Sequence, residues 1–146
     1  MDRFTPSFPS DLGYLIEHQV WARIDAPDQV TMGITSLGIR LSGEIYMCRA
    51  KPVGTVVEQG RAIAVVELAK SIVSVKAPLS GTVVEANPAL ARSPELVHRD
   101  PYGAGWIARL KPAALERERA ALVAGEAVLA AMAEHARLYR IEMDHG

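Results

Sequence analysis

The chain has 146 residues, 49% of them hydrophobic and 23% charged, with a formal net charge of −1. That composition fits one soluble globular domain with some extension and lies far from the disordered range. The near-neutral balance gives no reason to expect a nucleic-acid partner, no apolar run approaches the roughly 20 residues that span a bilayer, and a lone cysteine, Cys48, excludes a disulfide framework or a thiol metal site.

In chain order, the opening MDRFTPSFPSDLGYLIEH places prolines and acids where a signal peptide needs an unbroken apolar stretch, so a cytoplasmic location is the default. Residues 1–17 read as an N-terminal extension and residues 18–112 as one β domain. From Trp21 to Leu110, short runs rich in Val, Ile, Thr and aromatics alternate with Gly and Pro turns: WARI, QVTMGIT, GEIYMC, GTVVE, AIAVVEL, SIVSVKA, GTVVEAN and GWIARL. Many short strands at regular spacing indicate an antiparallel sandwich or barrel. Cys48 falls within a strand-like run and reads as a buried, inert thiol. VGTVVEQG (Val53 to Gly60) and SGTVVEAN (Ser80 to Asn87) echo each other around the intervening hairpin, which suggests two similar half-sheets related by an approximate two-fold.

SLGIRLSG (Ser36 to Gly43) and PALARSPELV (Pro88 to Val97) each suit a short helix, the second starting at Ser93-Pro94-Glu95. DPYGAGW reads as turn chemistry that returns Trp106 to the core. Past Lys111-Pro112 the chain becomes Ala/Leu/Glu/Arg-rich, with Leu115, Leu122, Val128, Leu129 and Met132 near helical spacing. Residues 113–146 therefore read as a helical extension: one amphipathic helix, or two broken near Gly125.

Of the 16 basic residues only Lys51, Lys70, Lys76 and Lys111 are lysines. Lys70 stands apart. It lies between Ala69 and Ser71 where two strand-like runs meet without Gly, Pro, Asn or Asp, the residues a tight reversal normally uses. Glu67 precedes it by three positions. A solvated turn lysine is the bland reading. The functional one is acylation at Nζ, which removes the charge and hangs a long tether from a rigid tip.

The order of motifs adds weight to the second reading. His18 and Trp21, VTMGIT, GEIY, Val53-Gly54, VELAK, APLSGTVVEAN, SPELV and DPYGAGWIARLKP follow one another as in the H-protein family of the glycine cleavage system, and from His18 to Pro112 the chain resembles those lipoyl carriers. The resemblance implies a mainly β fold, a flattened barrel-sandwich hybrid of two antiparallel sheets with pseudo-two-fold symmetry, plus short helices and a C-terminal amphipathic helix. It implies lipoic acid in amide linkage to Lys70, with Glu67 recognised by the modifying enzyme, a lipoate ligase or lipoyl transferase. It also implies a non-catalytic, monomeric carrier, and leaves Lys76 as an exposed strand lysine.

Three departures bear on the pathway. The family's His-Glu-Trp triplet is here His18-Gln19-Val20-Trp21, the tip holds larger apolar residues at Leu68, Ile72 and Val73, and the C-terminal segment is long. Together they resemble the H-protein-like lipoate-binding proteins of sulfur-oxidising bacteria, which serve a heterodisulfide-reductase-like complex. That branch is placed ahead of glycine cleavage, where the P, T and L proteins would be partners and an aminomethyl group the cargo. An interaction module with an unmodified Lys70 is the third reading. His18, His98, His135 and His145 have neither metal-ligand spacing nor a triad-like carboxylate, and His98 reads as a loop or surface residue. The glycines fit no phosphate-binding pattern.

Overall fold

Among the described residues nine strands form where β-branched residues fit a pleated, half-buried surface. The computed structural model describes residues 6–140 and Met143. In chain order the elements are β1 (Gly13–Leu15), β2 (Val20–Ala26), β3 (Gln29–Ile34), α1 (Ser36–Ser42), β4 (Met47–Ala50), β5 (Val56–Val57), β6 (Ala62–Glu67), β7 (Ile72–Lys76) and β8 (Gly81–Ala86). They continue with α2 (Leu96–Arg99), β9 (Ala108–Pro112), α3 (Leu115–Glu118) and α4 (Ala127–Leu138). A six-stranded antiparallel sheet has the order β1-β2-β3-β9-β8-β5, and a three-stranded sheet the order β4-β6-β7. The mainly β, two-sheet architecture expected from the sequence is the one observed. Among the described residues no helix is long and apolar enough to cross a membrane.

The main core lies between the sheets. Val20, Met32, Val83 and Leu110 from the large sheet meet Cys48, Ile63, Val66 and Val75 from the small one. On the other face of the large sheet a second cluster joins Tyr14 and Trp21 to Leu37 of α1 and to Val128, Met132 and Ala136 of α4. Trp21 is fully buried, its Nε1–H donates to the Pro101 carbonyl at 3.1 Å, and Gly33 opposite it leaves room for the indole ring.

The hairpin that carries Lys70 spans both sheets. At its base Val56 lies opposite Thr82 and Val57 opposite Gly81, within the six-stranded sheet. The echoing segments are therefore the two legs of this base, paired antiparallel. The pairing continues through Gly60 N–H to Ala77 O (2.8 Å) and Ala77 N–H to Arg61 O (2.7 Å). It then enters the small sheet, where the register runs from Ala62 opposite Lys76 to Glu67 opposite Ile72 with a bulge between Ala62 and Ala64. Gly60, at φ +82, sits where one leg changes sheets, a conformation that L side chains rarely adopt. Gly81 faces a different constraint: a Cβ there would lie 2.2 Å from the Lys111 carbonyl oxygen of β9. Gly81→Ala will therefore destabilise the fold by about 1–3 kcal/mol, because backbone cannot yield as a side chain can. The shift of the urea midpoint measures this.

The sequence reading and the structure differ in several details. β1 was not among the expected strands; it pairs with β2 and buries Tyr14 completely. GEIYMC becomes a strand only from Met47. Gln19 adopts a left-handed conformation (φ 55) between a 3-10 turn, Ile16–His18, and β2. The C-terminal segment follows the two-piece alternative, since Val123 makes a bridge with Tyr14 and Gly125 has φ +67 before α4 begins. Leu129 is not on the packed face of α4; it is 42% exposed. The side chain of His98, on α2, is tied down rather than loose, because its Nε2 accepts the Ile45 N–H at 3.0 Å. Trp106 is half-buried, with the Arg109 guanidinium 4.1 Å from its ring centroid.

Candidate functional site

The turn at the end of the β6–β7 hairpin closes over Ala69 and Lys70, with Leu68 N–H donating to Ser71 O at 2.8 Å. Neither turn residue has positive φ, so the reversal needs no glycine. This accounts for the composition of the stretch. Ala69, Lys70 and Ser71 are all exposed, and Lys70 makes no hydrogen bond or ion pair among the described residues. Its amine stands free on a tip anchored at both legs. Glu67 is exposed at the last register pair, flanked across the strands by Met47 and Ile72, and forms no ion pair with Lys70. Lys76 is half-buried at the far end of β7.

Beside this hairpin runs an open groove of about 400 Å³. Ile34, Ile45, Val66, Leu68 and Val73 give it apolar walls, and Glu17, His18 and His135 add polar groups. His18 and His135 thus share a groove although 117 positions separate them in the chain, which no local pattern could have disclosed. Burial holds His135 below the usual imidazole value, and its ring centroid lies 5.2 Å from that of Tyr139. Gln19 stiffens the groove from behind: its Nε2 donates to Ile16 O (2.8 Å) and to Met132 Sδ (3.3 Å), while its Oε1 accepts from Thr35 Oγ1 at 2.6 Å. Thr35 in turn caps α1 by accepting from the Gly38 N–H at 2.9 Å.

Among the described residues no three His, Cys, Asp or Glu side chains come together as a metal site. His145 lies outside the described residues. Cys48 is buried, and burial pushes its thiol up to about 12. At pH 8 only about one thiol in ten thousand is thiolate, so a thiol reagent will leave the native protein untouched and label it after denaturation. Labelling of the native protein at a free-thiol rate would contradict this burial.

The sequence profile of the family described as Glycine cleavage H-protein matches residues 12–135. This chain belongs to that family. Its relatives include glycine cleavage system H protein 2 of Aquifex aeolicus, 43% identical over 87% of this chain and 79% of the relative. The glycine cleavage system H protein of Thermus thermophilus is 45% identical over 71% of this chain and 80% of its own length. Among solved structures, a crystal structure of the H protein from Mycobacterium marinum superposes with a TM-score of 0.69 at 29% identity, covering 90% of this chain and 98% of the other. H proteins carry a covalently attached lipoyl group on a lysine and are not catalysts; this H-protein family member is likewise a lipoyl carrier.

Proposed function

We propose that Lys70 is the lysine that bears the lipoyl group and that the chain serves glycine cleavage. The observation that carries this reading is the free Lys70 amine at the exposed apex of a hairpin held by both sheets. An acyl group fits there without displacing a hydrogen bond or ion pair of the described residues, and Ala69 and Ser71 flank the amine. When bound, the lipoyl group supplies a two-electron disulfide ring on a long tether, opened by exchange-type attack. The chain's own contribution is positional. The hairpin fixes where the tether starts, and the apolar groove walls offer cover from water to an acyl chain. In this reading Glu67 is part of what the modifying enzyme recognises, working in the cytoplasm.

The pathway rests on the relatives' names, which are those of glycine cleavage carriers, and they favour the P, T and L proteins as partners over the sulfur-oxidation branch suggested by the tip residues. The sulfur reading, with a heterodisulfide-reductase-like partner, retains one observation: Ile72, two residues from Lys70, is 67% exposed where a client would see it. Peptide mass spectrometry of the protein from its host tests both. A lipoyl increment on the Lys70 peptide supports the carrier reading, and additional sulfur atoms on that arm would favour the second pathway. An unmodified Lys70, in a host that lipoylates other carriers, would favour the interaction module instead.

A further inference from the structure

The small sheet buries one face and leaves the other uncovered. Inward residues are Cys48 of β4, Val66 of β6 and Val75 of β7, all in the main core. The residues between them point outward, and the register arranges them in rows. Nearest the tip, Met47, Glu67 and Ile72 lie side by side. The next row is Arg49, Val65 and Ser74. Beyond the bulge, Lys76 lies beside Ala62, and Lys51 adjoins β6 through its N–H bond to Ile63 O at 2.8 Å.

This face is basic in a chain whose net charge is −1. Arg49 and Lys51 are exposed and Lys76 half-exposed; among the described residues none of the three has an ion-pair partner, and Glu67 is the carboxylate in these strand rows. By contrast Arg23, Arg109, Arg119 and Arg137 are each paired with an acid elsewhere on the molecule. Three uncompensated cations across neighbouring strands raise the local potential over a patch whose middle is the half-buried Val65 and whose tip end carries the exposed Ile72. An apolar centre with a charged surround is the anatomy of a protein-docking surface, and its sign calls for an acidic partner.

We propose that the outer face of the small sheet is the docking surface for the enzyme that acylates Lys70, and that this enzyme presents an acidic surface to Arg49, Lys51 and Lys76. The inference rests on Lys70 being the attachment point. Which enzyme docks follows from distance. A client reacts with the far end of a long tether, so its chemistry does not require it to seat against the residues next to Nζ. The attaching enzyme must bring its activated acyl carbon within bonding distance of Nζ itself, so it must seat on the residues next to the tip. There the neutral amine forms the amide bond, the leaving group of the activated acyl donor departs with its electron pair, and one proton leaves Nζ. A docking face of opposite charge raises the rate of productive encounter without altering that chemistry.

The experiment follows lipoylation of the unmodified protein by the host's own lipoate ligase or lipoyl transferase with its acyl donor. For the wild type, kcat/KM falls steeply as salt is raised from about 0.05 to about 0.5 M, because screening shortens the reach of the patch. Arg49→Glu combined with Lys51→Glu lowers kcat/KM at low salt by about tenfold or more, leaves kcat within about twofold, and flattens the salt dependence. Arg49→Lys combined with Lys51→Arg restores both. Reversal of Arg117, an exposed cation on α3 and outside this sheet, changes kcat/KM by less than about twofold. The neutral pair Arg49→Gln and Lys51→Gln covers the case in which the reversed variant does not fold. A wild-type reaction insensitive to salt, or a charge-reversed variant modified at the wild-type kcat/KM, overturns the docking proposal. A wild-type protein that is never acylated at Lys70 overturns the attachment site itself, so the two failures are told apart.

Discussion

Replacing Lys70 by arginine will give a protein that carries no lipoyl group and melts within a degree or two of the wild type. The chemical half of this result follows from nucleophilicity. An amine can lose a proton and attack an activated acyl carbon, whereas a guanidinium stays protonated and delocalised at any working pH. The structural half follows from exposure: Lys70 is exposed and makes no hydrogen bond or ion pair among the described residues, so the stability change falls within about 0.5 kcal/mol. Intact mass measured on protein expressed in a lipoylating host reads the first half, and a thermal scan the second. Lys111→Arg, on β9, serves as the comparison and keeps the full increment. An acylated Lys70→Arg protein would show that another lysine bears the group and would sink the assignment.

Trp21→Ala carries the largest expected cost in stability. The indole is fully buried, lies over Gly33, and packs in the cluster that joins α1 and α4 to the large sheet. Truncation removes that contact area and leaves a cavity lined on one side by a glycine that cannot fill it. It also deprives the Pro101 carbonyl of its donor. Large aromatic truncations of this kind cost about 3–5 kcal/mol, enough to bring a domain of this size close to unfolding. Denaturant melts followed by far-UV circular dichroism measure the loss. A change below about 1 kcal/mol would mean that the second cluster contributes little to the fold.

How much of this could be read from the chain depends on how local each signal is. The Lys70 tip was legible because everything that makes it is contiguous: two β-branched runs, a turn without glycine, and an acid three residues before the lysine. Eight of the strands carry the same kind of signal. β1 does not, since GYL is too short to show alternation and becomes a strand only by pairing with β2. The break in the C-terminal segment was marked by Gly125, yet its cause is tertiary, the bridge between Val123 and Tyr14. The groove was invisible for a stronger reason. Its walls come from residues 17–20, 34–45, 66–75 and 135–139, which no window brings together. The basic face was hidden as well, because Lys76 joins Arg49 and Lys51 on one face only through the register of three strands.

The hairpin's passage from one sheet into the other has a quantitative consequence for any tethered cargo. Because the legs are hydrogen-bonded first within the large sheet and then within the small one, the tether's origin is a fixed point on the protein. A group on a fixed pivot sweeps a volume set by the tether alone, and its effective concentration at a docked client depends on tether length and on where the client sits, independently of bulk concentration. Lengthening the Ala69-Lys70 turn with glycines would enlarge that volume and dilute the cargo at every client at once.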